Sequence, residues 1–177
     1  DKDYQLAAGI SQDVEADDSI LELTRARLPW LVLALLGGFI TVRVLGLFEG
    51  AMAEHGKLFF FTPLIAAMAG NVGVQSSAII VQGLANNTLS GSVFNRLIKE
   101  ISLSLLNGVI LAAILFIGGH FLLNLELIEG MIVSGALISV IIIASLIGTF
   151  IPLLLDKFGI DPALATGPFI TTSNDIC

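Results

Sequence analysis

Residues 131–155 read MIVSGALISVIIIASLIGTFIPLLL, a stretch without one charged side chain. At 1.5 Å per residue a helix of this length reaches ~37 Å, enough to cross a hydrocarbon core of about 30 Å with some tilt. Three more apolar runs of spanning length occupy residues 28–48, 58–83 and 101–125. Hydrophobic residues make up 55% of the chain and charged residues 13%, and the mean hydropathy is +0.94. That composition is too apolar for a soluble domain. The predicted fold is all-α, a polytopic protein with the lipid bilayer as its solvent.

A fifth run starts at Pro162. Asp161 before it reads as an N-cap, and proline at the first helical position loses nothing by lacking an N–H. The run stops at Cys177, too soon to cross, so five transmembrane helices are expected with the fifth truncated. Since the chain also opens on Asp1, a fragment cut at both ends is expected. Asp175 lies thirteen residues past Pro162, or ~20 Å along the helix and inside the core. An ionised carboxylate at that depth costs roughly 2.5–3.5 kcal/mol, which by default marks function. Pro168 frees the carbonyl of Leu164, and Gly167 loosens the same turn. Gly167, Thr171 and Asp175 recur every fourth residue and share one face. A gap, a hydroxyl and a carboxylate in a row suit hard cations such as Mg²⁺, Ca²⁺ or Na⁺. The plainer alternative puts Asp175 at the membrane interface, satisfied by water.

The formal net charge is −7, but seven of the fifteen acids precede the first span, so acidity is mostly a property of the leading tail. Asp13, Glu15, Asp17 and Asp18 read as a solvated linker rather than a divalent-cation site. Ser19 and Glu22 form a capping-box pattern that starts a short helix leading into the membrane. Residues 1–27 are thus expected to be a cytoplasmic linker and 28–177 the membrane domain. With the N-terminus inside, Lys2, Arg25, Arg27, Arg96, Lys99 and Lys157 fall on the inner side and Lys57 alone in the outer loops, which sets a cytoplasmic N-terminus. Trp30 then anchors the inner interface, and Arg43 snorkels outward or pairs with Glu49. The one cysteine, Cys177, permits no internal disulfide.

The second span is the most informative of the four complete ones. In MAGNVGVQSSAIIVQG (residues 68–83), Asn71, Gln75 and Gln82 fall within about 40° on a helical wheel, an amide stripe through an apolar segment. Ala66, Gly70, Gly73 and Ser77 form a separate small-residue face of the kind that lets backbones approach closely in lipid. One face packs and the other lines something wet; alternatively, the amides bond only to neighbouring helices. Pro63 offers a break near the outer end. Residues 84–100 read as a polar inner connection with a short amphipathic helix near Val93 to Lys99. Asn107 and Gly108 in the third span, and Ser134, Ser139, Ser145, Gly148 and Thr149 in the fourth, read as packing positions. His55 and His120 carry no signal, and Glu126 and Glu129, with no basic neighbour in sequence, make the outer side acidic. No enzyme motif appears, and nothing points to nucleic acid.

Three stretches together resemble one family. LTRARLPWL (residues 23–31), GNVGVQSS (residues 70–77) and DPALATGPFITTSND (residues 161–175) are similar, in order and spacing, to the transmembrane domain of the MgtE magnesium channels, relatives of eukaryotic solute carriers. The resemblance implies a homodimer with five helices per subunit and a pore on the dimer axis in the bacterial inner (plasma) membrane. It implies that Asp175 faces its dimer mate and holds a largely hydrated Mg²⁺ with help from Thr171. It further places Asn71, Gln75, Gly70, Gly73, Gly167, Thr172 and Asn174 along the pore, with Asp161 as a secondary cation contact. Mn²⁺, Co²⁺ and Ca²⁺ are alternative ions. The resemblance also implies a cytosolic regulatory part with a CBS-type pair ahead of the membrane domain, which is expected to be missing from residues 1–177.

Physical chemistry fits that implication. Mg²⁺ sheds water reluctantly, so a pore that keeps the hydration shell and grips it from outside avoids a large barrier. Two carboxylates facing across a lumen repel unless a divalent cation lies between them. Two other classes stay in view: a secondary transporter in which Asp175 couples a cation to H⁺ or Na⁺, and an intramembrane aspartyl protease, for which one chain supplies only one convincing acid.

Overall fold

The computed structural model describes residues 5, 8–10, 12–89 and 91–165. Within them every element of regular secondary structure is a helix. Helix α1 spans Ile20–Gly46, two short helices α2 (Glu49–Glu54) and α3 (Gly56–Phe59) follow, and then α4 (Thr62–Ala85). Helices α5 (Val93–Leu123) and α6 (Leu127–Lys157) form a hairpin, and a 3-10 turn follows at Pro162–Ala165. Among the described residues, four helical stretches are long and apolar enough to cross a membrane: Ile20–Gly46, Gly56–Ala85 (α3 with α4), Val93–Leu123 and Leu127–Lys157.

Local signals explain the helix starts. Ser19 caps α1: its hydroxyl accepts the Glu22 N–H, and the Glu22 carboxylate accepts the Ser19 N–H in return at 3.1 Å. Linker helix and first span are one element, unbroken at residue 27 and through Pro29. Pro63 sits in the first turn of α4, where its missing N–H is harmless, so the break falls before it, between Phe59 and Thr62. The amphipathic segment at residues 93–99 is not a separate helix. Ser92 caps it by accepting the Asn95 N–H at 3.2 Å, and nothing between Lys99 and Ile101 stops it from running on into the third span. Neither glycine nor proline intervenes, and a 31-residue helix outreaches a ~30 Å core, which leaves room for its polar first turns at the membrane interface.

Helix α6 is the centre of the bundle. Leu137, Ile141, Thr149, Pro152 and Ser145 on it are essentially inaccessible. Helices α4 and α5 each pack along α6 and make no comparable contact with one another, so the three form a layer with α6 in the middle. Near the α5–α6 turn the helices are joined by Phe61, Leu125 and Val133, with Leu58, Ile65 and Leu115 against them. The α5–α6 turn is tight: Asn124 takes the left-handed conformation (φ 52°), the Gly119 carbonyl accepts the Leu125 N–H at 3.0 Å, and His120 Nδ1 lies 3.0 Å from the Leu125 carbonyl. His120 therefore has a structural contact that its isolation in sequence did not announce. Helix α1 makes no extended contact with another described helix, and Leu31, Leu35, Phe39 and Val42 are exposed on it.

Candidate functional site

The amide stripe and the packing face of α4 end up on opposite sides. Asn71, Gln75 and Gln82 are exposed, whereas Ala69, Gly73, Ser76, Ser77, Ile80 and Gly83 are buried. The buried arc is turned roughly 60° from the one composition suggested, at 100° per residue. Ala66 and Gly70 are only half-buried, and Ala69 and Ile80 take the central places. Several small residues flank the arc on both sides, so composition alone cannot choose among them. Tertiary contact does.

The decisive contact is at Gly73. A Cβ placed on Gly148 of α6 would run into the Gly73 carbonyl oxygen and lie 3.1 Å from its carbonyl carbon and Cα. Backbone meets backbone there, the close approach that small residues permit in lipid. Gly73 is thus buried inside the subunit at the level of the amide stripe. Ser77 and Thr149 are fully buried near this crossing, and their hydroxyls have no hydrogen-bond partner among the described residues.

The start of the final segment lies against the same pair of helices. The Pro162–Ala165 turn packs on α6 and touches α4. Asp161 caps this turn as its sequence predicts, Oδ1 accepting the Ala163 N–H at 2.9 Å, and Ala163 is buried. Gly167, Thr171, Thr172, Asn174 and Asp175 lie outside the described residues. Of the sequence-derived site, the structure thus describes Gly70, Asn71, Gly73 and Gln75 on α4 and Asp161 at the entry to the last segment. Among the described residues, no group of three or more His, Cys, Asp or Glu side chains is arranged to hold a metal ion.

Two other features were not read from the sequence. Ser76 donates to Glu100 Oε1 at 2.6 Å, tying α4 to α5. An acid at the margin of the third apolar run was a visible signal, but its partner 24 residues earlier was not. At the end of the bundle where α5 turns into α6, Glu54, Glu126 and Glu129 line a recess of about 460 Å³ together with His55 and Lys57. These acids are therefore not without basic neighbours. Lys57 reduces the local negative charge, and Glu129 is already engaged, its Oε2 accepting the Glu126 N–H at 3.0 Å.

Against known proteins, residues 62–177 match the model of the MgtE family, described as a divalent cation transporter. The chain belongs to the MgtE family. That match starts with α4 and so takes in both GNVGVQSS and DPALATGPFITTSND. Similarity extends further toward the N-terminus in individual MgtE relatives. The magnesium transporter MgtE of Bacillus subtilis is 35% identical over 177 residues, 99% of this chain and 39% of the relative. That of Enterococcus faecalis is 38% identical over 176 residues, covering 98% and 38%. That of Thermus thermophilus is 31% identical over 175 residues, covering 96% and 38%. The chain thus spans about two fifths of the length of these MgtE relatives. The family is one of transporters, not enzymes, which removes the protease reading.

Proposed function

We propose that residues 28–177 form the conducting domain of a homodimeric Mg²⁺ channel in the bacterial inner membrane, with residues 1–27 as a cytoplasmic linker from a CBS-type regulatory domain. The observation that carries this reading is the division of α4: one face is committed to α6 through Gly73, and the opposite face presents Asn71 and Gln75 unburied in the subunit. A second copy related by a two-fold axis would enclose that stripe and bring its own Asp175 opposite the first. The ion is cargo, held through its water by two carboxylates and by amide and backbone oxygens, Thr171 among them. Gly70, Gly167, Thr172 and Asn174 would line the same path, and Asp161, exposed at the inner end, would meet the ion on exit. Monovalent ions satisfy a pair of facing carboxylates less well, so selectivity rests on charge.

Titration calorimetry of the purified chain with Mg²⁺ tests the site. Asp175→Asn is expected to abolish the binding heat while the dimer stays intact by size-exclusion chromatography with light scattering. Unchanged heats would remove Asp175 from the site. Flux in proteoliposomes tests the mode of transport: Mg²⁺ uptake that saturates and requires a proton or Na⁺ gradient would replace the channel by a coupled transporter.

A further inference from the structure

Helices α4 and α5 meet mainly through α6, yet one hydrogen bond joins them directly: Ser76 Oγ to Glu100 Oε1, 2.6 Å. Glu100 lies about 10 Å along α5 from its first residue, at 1.5 Å per residue, near the inner edge of the hydrocarbon. It shares a stripe with Ser104, Gly108 and Ala112, positions four apart that point inward, and it is itself only half-exposed. An acid at this depth faces the bundle interior and has a specific partner, the pattern that marks a functional group in a membrane. That partner, Ser76, is buried and adjacent in sequence to Gln75 of the amide stripe.

What the bond does follows from what the α4–α6 seam lacks. At Gly73 and Gly148 two smooth backbones touch, and a glycine-to-glycine contact fixes separation better than rotation. Ser77 and Thr149, which are buried there, form no hydrogen bond among the described residues. A directional bond to Ser76 fixes what that contact leaves loose. We propose that Glu100 is a positioning residue for conduction: by accepting the Ser76 hydroxyl it sets the rotation of α4 about its own axis and so aims Asn71 and Gln75 into the pore. The inference rests on the pore reading above. Because Asn71 and Gln75 lie within about 40° of each other, a turn of that size would carry both out of alignment together.

The test reads α4 rotation directly. In the full chain with Cys177→Ser, Gln75→Cys is introduced and its modification rate by a charged methanethiosulfonate reagent is measured in proteoliposomes. Glu100→Ala is expected to slow modification about tenfold, the scale of losing a hydrogen bond to a charged group. Glu100→Gln, whose amide oxygen accepts the same hydroxyl, is expected to restore the parent rate. Ser76→Ala, which removes only a hydroxyl and so keeps the test open should Glu100→Ala not fold, is expected to match Glu100→Ala, and the double variant to add nothing further. An unchanged rate in Ser76→Ala or Glu100→Ala overturns the inference, as do additive effects. Failure of Glu100→Gln to restore the rate overturns it too, because the charge and not the bond would then be at work. A Gln75→Cys thiol unreactive in the parent overturns the pore reading and this inference with it.

Discussion

Helix α6 holds its two neighbours by different means. Toward α5 the seam is bonded: Ser104 donates to Ser145 Oγ at 2.5 Å, and Ser134 donates to the Ala112 carbonyl at 3.1 Å. Toward α4 it is a contact of surfaces, Gly148 against the Gly73 backbone, with the Ser77 and Thr149 hydroxyls buried and without partner among the described residues. Lipid offers helices no hydrophobic reason to associate, so packing and interhelical hydrogen bonds carry the association. The α5 seam uses both, whereas the α4 seam uses packing and leaves its polar groups idle. The helix that bears the amide stripe is therefore held by shape along α6, and its polar tie runs to α5 instead.

A glycine in each seam allows the sharpest test of that difference. A Cβ on Gly148 meets backbone atoms of Gly73, which cannot swing aside, while a Cβ on Gly108 would lie 3.5 Å from Ile138 Cα, ordinary contact. Gly148→Ala is expected to destabilise the domain by about 1–3 kcal/mol, the usual cost of overpacking. Gly108→Ala is expected to be neutral or to stabilise by up to ~1 kcal/mol, since alanine is the better helix former. Both are read from unfolding in mixed detergent micelles. Equal losses at the two positions would mean that the seams do not differ in tightness.

How much of this could be read beforehand depends on what each feature rests on. The span at residues 131–155 became α6, Leu127–Lys157, because length and apolarity alone determine such an element. Ser19 with Glu22, Pro63 and Asp161 were legible too, since each cap or first-turn proline acts within a few residues of itself. The continuation of the third span back to Val93 was obscured because its polar turns at the interface look like a surface helix. Gly108, Ser134, Ser145, Gly148 and Thr149 are buried packing positions, as small residues within apolar spans predict, while Asn107 and Ser139 are exposed, Ser139 donating to the Gly135 carbonyl of its own helix. The face of α4 that packs and the bond from Ser76 to Glu100 depend on where other helices lie. No local pattern encodes that.

Thr149 is the next test, and its expected sign is opposite. Thr149→Val exchanges the idle hydroxyl for a methyl of similar shape, removing a buried polar group that has no partner among the described residues. A gain of about 1 kcal/mol is expected, at the low end of the desolvation penalty for such a group. Differential scanning of the two proteins at equal detergent concentration reads it. A loss of stability would show that the hydroxyl has a partner after all and that the α4 seam is bonded like the other.

The smallest effect is expected where a hydrogen bond is present. Ser104→Ala removes the donor to Ser145 but leaves no donor stranded, because Ser145 Oγ itself donates to the Ile142 carbonyl at 2.9 Å. The loss is therefore only that of one interhelical bond in a membrane, about 0.6 kcal/mol on average, with the unfolded segments in lipid also finding partners. Ser134→Ala should cost a similar amount, and because the Ser104–Ser145 and Ser134–Ala112 bonds lie several turns apart along the seam and share no partner, their losses should add. Additivity in the double variant, measured by the same unfolding assay, would mean that the α5 seam is a row of independent links. A double loss larger than the sum would mean instead that the links close together, and that α5 docks on α6 as one cooperative unit.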